Sequence, residues 1–229
     1  MASISENMQS VCERVAAAAR KYGRLPDEIG LLAVSKTWPA ACVAEAAAAG
    51  QKAFGENYVQ EGLAKITELA ARRLEWHFIG PLQSNKTRAV AENFDWSHSI
   101  DRLKTAERLS EQRPGTLAPL QVCLQVNVSG ETTKSGVDPA DALPLARRIA
   151  ALPRLTLRGL MVIPEPEDDF SRQRAAFRCA RALFDELKKE GLALDTLSMG
   201  MSHDFEAAIA EGSTLVRVGT AIFGERNYK

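Results

Sequence analysis

Short apolar runs alternate along this chain with longer stretches whose apolar residues recur every three or four positions. The first run, Leu31-Leu32-Ala33-Val34-Ser35, is continuous rather than alternating, the pattern of a strand covered on both faces. Further runs of strand character follow at Lys52–Glu56, Leu74–Ile79, Phe94–Ile100, Pro119–Val128, Leu155–Ile163, Thr196–Met199 and Thr214–Val218. Helical spacing predicts helices between them, over Ala40–Ala49, Val59–Arg72, Asn85–Glu92, Arg102–Gln112, Asp138–Leu152, Asp168–Glu190 and Asp204–Glu211. Asp138-Pro139 reads as an N-cap followed by a first-turn proline, and Gly50 and Gly191 as helix stops. A further amphipathic helix, Ser3–Lys21, precedes the first strand with Ile4, Met8, Val11, Cys12 and Val15 on one face.

Strands that alternate with helices must be parallel, joined by right-handed crossovers. Eight such units predict an α/β fold, a single (β/α)8 TIM barrel with an extra N-terminal helix, over residues 1–229 as one domain. An open sheet holding a dinucleotide usually turns through Gly-x-Gly-x-x-Gly after its first strand; here that turn is Ser35-Lys36-Thr37-Trp38-Pro39.

Composition narrows the function classes. The 29 Lys and Arg balance 29 Asp and Glu in 229 residues, which gives no reason to expect nucleic acid or an anionic membrane. Met1–Gln9 contains Glu6 and no apolar core, and no run of apolar residues approaches the ~18 needed to span a bilayer. Cys12, Cys42, Cys123 and Cys179 are far apart and do not combine with His77, His98 or His203 at zinc-ligand spacings. They read as reduced thiols of a cytoplasmic protein that holds no metal.

In a barrel of this type the chemistry sits where the strands end, and phosphate is often held after strands seven and eight. Those loops read Ser198-Met199-Gly200-Met201-Ser202 and Arg217-Val218-Gly219-Thr220. Both offer small residues that let backbone N–H groups approach an anion, with hydroxyls from Ser202 and Thr220, and Ser202 precedes a helix start. Flexible turns are the alternative reading. Closure makes strand eight the neighbour of strand one, so Lys36 is expected to face Arg217 and Thr220 across one ladder spacing. Partial burial beside a guanidinium would lower the lysine's pKa and make it a better amine for Schiff-base formation. Taken alone, a lysine in the place of Lys36 is more often a solvated strand end. A reactive lysine beside a phosphate site points to pyridoxal phosphate or a phosphosugar.

Ala33-Val34-Ser35-Lys36-Thr37, Phe54-Gly55-Glu56-Asn57-Tyr58, His77-Phe78-Ile79-Gly80-Pro81-Leu82-Gln83-Ser84-Asn85-Lys86, Ser198–Ser202 and Val216–Gly224 closely resemble the pyridoxal phosphate homeostasis protein family. That family is similar to the barrel domain of alanine racemase, the third fold type of pyridoxal phosphate proteins. The resemblance implies that Lys36 carries the cofactor as an internal aldimine, and that Ser202, Gly219 and Thr220, with backbone near Gly200, hold its phosphate. Arg217 resembles the arginine that meets the pyridine nitrogen. An arginine gives up no proton there, so the ring stays unprotonated and stabilises a carbanion poorly.

Asn57 is a polar contact to the cofactor or a turn-forming asparagine; His77 lies beneath the ring or is a barrel-interior histidine; Lys134 is a loop lysine. Trp38, Trp76 and Trp96 read as packing residues. Racemisation needs proton transfer on both faces of an α-carbon, and beyond Lys36 no second base is evident; the sequence ends at Lys229, after strand eight. Class I aldolases place their lysine on strand six, where this chain has Arg158. The expectation is a monomeric cofactor carrier that supplies apo-enzymes with pyridoxal phosphate, with a racemase-like enzyme as the alternative.

Overall fold

The computed structural model describes residues 3–129 and 135–225. Strands β1 (Gly30–Val34), β2 (Ala53–Glu56), β3 (Glu75–Phe78), β4 (Trp96–Ile100), β5 (Leu120–Gln125), β6 (Leu155–Met161), β7 (Thr196–Ser198) and β8 (Leu215–Val218) form one closed parallel barrel in chain order. Closure comes from β1 pairing β8, with Gly30 opposite Leu215 and Leu32 opposite Arg217.

The helices are α1 (Ile4–Lys21), α2 (Ala40–Ala48), α3 (Val59–Glu68), α4 (Thr87–Asn93), α5 (Leu103–Gln112), α6 (Pro139–Ala150), α7 (Phe170–Lys189), α8 (Phe205–Ala210) and α9 (Thr220–Phe223). Each predicted helix is present, most trimmed by a residue or two. The predicted Val59–Arg72 helix breaks at Leu69 into α3 and a single 3-10 turn, Ala70–Arg72, before Arg73 in the left-handed region. The short α9 was not anticipated from the sequence, because four residues carry no periodicity to read.

Helix α1 starts with a capping box in which Ser3 and Glu6 satisfy one another's backbone donors. It buries Met8, Val11, Val15, Ala18 and Ala19 against α2, α8 and α9, covering the seam where the barrel closes. The main apolar core lies between sheet and helices, as parallel strands with both faces covered require. Inside the barrel the filling differs: Trp96, Cys123 and Met161 form a small separate cluster, and polar side chains occupy much of the remainder. No helix among the described residues is long and apolar enough to cross a membrane.

Candidate functional site

At the end of the barrel where the strands finish, a cavity of about 200 Å³ is lined by Lys36, Asn57, Ser202, Arg217, Gly219 and Thr220, with Val34, Ile79, Ile163, Met201 and His203 completing the wall. Six of the seven predicted site residues are therefore brought together. Gly200 is the exception, because it sits behind the wall rather than in it. Its φ is +95°, and a Cβ there would come within 2.6 Å of the Ala208 side chain. Only glycine lets the loop after β7 turn this tightly onto α8.

The two predicted phosphate loops are tied together. Arg217 N–H donates to the Gly200 carbonyl at 2.9 Å, and the Asp204 carboxylate accepts from Met201 N–H. Gly219 accepts from Ile222 and Phe223, so that Thr220 opens α9 at the pocket. The start of α9 thus lies at the pocket, whereas α8 begins at Phe205, whose N–H already donates to the Met201 carbonyl at 2.9 Å.

Lys36 is half-buried and lies two residues past the end of β1. The expected pairing with Arg217 needs correction. In register Arg217 stands opposite Leu32, four residues before Lys36, so the two residues share the cavity but not a ladder position. The turn that carries Lys36 is strained, since Thr37 has φ +69°, rare for a β-branched residue. Its N–H is held by the Glu61 carboxylate at 2.9 Å.

A buried network that the sequence did not disclose braces this turn. The Lys65 ammonium, on α3, donates to the Ser35 carbonyl at 2.8 Å and to Glu56 Oε1 at 2.7 Å. The Ser35 hydroxyl donates to the same Glu56 oxygen at 2.6 Å. Burial pushes the Glu56 carboxyl above its usual range, while Lys65 and Ser35 pull it back. The residue before Lys36 is thereby fixed from outside the sheet. The available signal was a glutamate ending β2 with a lysine nine residues on along a helix.

Arg217 is held from inside the barrel. Its guanidinium donates to the Ser198 carbonyl (2.7 Å), the Ser198 hydroxyl (2.8 Å) and the Val162 carbonyl (2.9 Å). Burial lowers its pKa to about 10, opposed by Asp204, so it remains a cation at neutral pH. His77 is a barrel-interior histidine, stacked on Trp96 with ring centroids 5.1 Å apart and hydrogen-bonded to His98 and Glu75. Trp76 packs against Phe54 and Trp38 stacks on Phe223. Lys134 lies outside the described residues.

Several features of the pocket fit pyridoxal phosphate. The buried Asn57 Oδ1 has no hydrogen-bond partner among the described residues. Asn57 is pressed into place by Gly80, where a Cβ would lie 2.2 Å from the Asn57 carbonyl oxygen. Ile163 and Met201, two unusually exposed large apolar side chains at 38% and 37%, form wall that a planar ring would cover.

Comparison with known proteins agrees with this geometry. The family profile described as alanine racemase, N-terminal domain, matches residues 7–227. A pyridoxal phosphate homeostasis protein of Pseudomonas aeruginosa is 60% identical over 228 residues, covering 100% of this chain and 98% of that protein. The chain belongs to the pyridoxal phosphate homeostasis protein family. PipY of Synechococcus elongatus, solved with PLP bound, superposes with a TM-score of 0.85 at 42% identity, over 97% of this chain and 100% of that one. Alanine racemase from Corynebacterium glutamicum shares the fold at 20% identity and a TM-score of 0.64, but this chain covers only 62% of it. The names carried by the similar full-length proteins describe homeostasis rather than a reaction.

Proposed function

We propose that this chain binds pyridoxal phosphate through Lys36 and acts as an intracellular carrier or reservoir of the cofactor, as a single-domain monomer without a strong catalytic cycle. The observation that carries the reading is one cavity in which a lysine, an arginine and two small-residue loops converge, in a protein 42% identical to one solved with PLP bound. When bound, the cofactor supplies an aldehyde that condenses with an amine and a ring that can draw electrons from it.

The residues of this chain would do the following. Lys36 offers the amine. Ser202 and Thr220 would offer hydroxyls, and Gly219 and the residues that follow Gly200 would offer backbone N–H groups, to the phosphate. Arg217 can only donate hydrogen bonds, so it would meet the pyridine nitrogen as a donor and leave that nitrogen unprotonated. Asn57 supplies the orphaned amide oxygen, a position where the sequence alone could not choose between contact and turn. A ring kept unprotonated stabilises negative charge on a substrate weakly, which suits storage better than turnover.

The racemase-like alternative needs a second proton donor. His203 lines the cavity and is exposed, and it follows Ser202 in the phosphate loop. Protein saturated with pyridoxal phosphate should absorb in the visible, and Lys36→Ala should remove that band. Mixed with L- and D-alanine in deuterated water, the loaded protein should exchange α-protons far more slowly than a racemase. Rapid exchange, lost in His203→Ala, would establish the enzyme reading instead. Transfer to an apo-enzyme faster than release into solution would identify direct delivery as its role.

A further inference from the structure

Four polar side chains from three strands join Arg217 in one continuous line through the barrel. Arg217 Nη1 lies 2.8 Å from Ser198 Oγ, Ser198 Oγ 3.1 Å from His98 Nδ1, His98 Nε2 2.9 Å from His77 Nδ1, and His77 Nε2 2.6 Å from Glu75 Oε1. Because β4 and β7 are not neighbours in the barrel order, the His98–Ser198 bond spans the barrel interior. The line begins at the cofactor pocket. It ends at Glu75, the first residue of β3, whose side chain is 51% exposed beside a recess of about 290 Å³ at the opposite mouth.

Its direction is fixed from both ends. A guanidinium only donates, so Ser198 Oγ accepts from Arg217 and its own hydrogen is available to His98 Nδ1. That leaves His98 with its proton on Nε2, donated to His77 Nδ1. His77 then carries its proton on Nε2, which is what an ionised Glu75, able only to accept, requires. Starting from Glu75 gives the same two tautomers. Every bond is satisfied once, with both histidines neutral.

We propose that Ser198, His98, His77 and Glu75 are positioning residues for Arg217, forming a hydrogen-bonded line of single polarity that anchors the guanidinium in the cofactor pocket to a carboxylate at the far mouth. The inference rests on the cofactor reading above for its consequence, but the line itself is a property of the protein alone. Burial keeps both rings below the ordinary histidine range, His98 further lowered by His77 and Arg217. The other charged groups acting on the ends are Asp95 and Arg158 near Glu75 and His77, and Asp204 near Arg217. If His77 gains a proton, it donates from Nδ1 to His98 Nε2; the proton of His98 must then sit on Nδ1 and point at Ser198. Acid at one mouth therefore reverses the line at the other.

The test starts with cofactor-free protein labelled with 15N-histidine. At neutral pH, long-range proton–nitrogen spectra should show His77 and His98 neutral with the proton on Nε2. A Nδ1–H tautomer or an imidazolium at either ring would overturn the line. The loaded protein then tests its role. Ser198→Ala and Glu75→Leu should weaken pyridoxal phosphate binding by roughly tenfold, the scale of losing a supporting contact behind a ligand, and shift the visible band. Glu75→Gln, whose amide oxygen can still accept from His77, should restore both. Variants that fold, by circular dichroism, yet bind and absorb like the unsubstituted protein would refute the positioning role. Failure of the unsubstituted protein to take up pyridoxal phosphate would instead refute the proposed function, and the tautomer spectra would still decide whether the line exists.

Discussion

Two buried polar networks meet beneath one pocket, and they are built on opposite principles. Behind Lys36, outside the sheet, Glu56 and Lys65 form an ion pair with side chains 0% and 7% exposed, anchored on the Ser35 hydroxyl and carbonyl. Behind Arg217, inside the barrel, neutral histidines relay hydrogen bonds to a half-exposed carboxylate. The first network fixes backbone: it holds the residue before Lys36 so that a strained turn can present the amine. The second fixes a charge, because Arg217 must stay in one place to act on whatever ring the pocket takes. A buried ion pair is unforgiving when one member is lost, whereas a neutral relay is sensitive mainly to protons.

That contrast can be broken most forcefully at the ion pair. Lys65→Met leaves the Glu56 carboxylate buried without its counter-ion and should cost about 3–5 kcal/mol in urea denaturation. The double variant Glu56→Leu/Lys65→Met should recover most of the loss, since no uncompensated charge remains. A double variant as unstable as the single would mean that packing, and not charge pairing, dominates this network.

The second network should declare itself through pH. Both histidines have folded pKa values below their unfolded ones, so the unfolded chain binds more protons below about pH 6.5. Stability should be complete above that pH and fall as pH drops, by up to about 1.4 kcal/mol per pH unit for each histidine. The window from about pH 6.5 down to 5 lies above the range where most carboxylates titrate. His98→Asn should roughly halve the slope whatever it does to stability at neutral pH. An unchanged slope would show that the His98 ring is not held neutral.

The smallest effect belongs to the turn that the first network braces. Thr37 at φ +69° should be relieved by Thr37→Gly, raising stability by about 0.5–1 kcal/mol after the entropic cost of glycine. The urea midpoint reads it, and a loss of stability would mean that the Thr37 side chain, not its backbone, matters there.

The barrel was legible because each strand, packed on both faces, is a compact apolar run, and helices of ten or more residues display their period. Lys36, Ser202, Gly219 and Thr220 were legible as a group because strand order alone sends strand ends to one mouth. The line from Glu75 to Arg217 was not. Its members lie on β3, β4, β7 and β8, up to 142 positions apart, and they meet through the stagger of a closed barrel. Register pairs His77 with Trp96, not with His98, so even correct strand pairing would have missed the contact. Glu56 and Lys65 were hidden similarly, since a charged residue ending a strand and another on a helix read as solvated until their burial is known. The offset between Lys36 and Arg217 follows from the same stagger.

Everything proposed for the pocket depends on Lys36 being the amine that holds the cofactor. Loaded protein reduced with borohydride, digested and mapped by mass spectrometry tests it most directly. A pyridoxyl mass is expected on the peptide containing Lys36, at close to one per chain, and none in Lys36→Ala. A label spread over other lysines, or one retained when Lys36 is replaced, would contradict it.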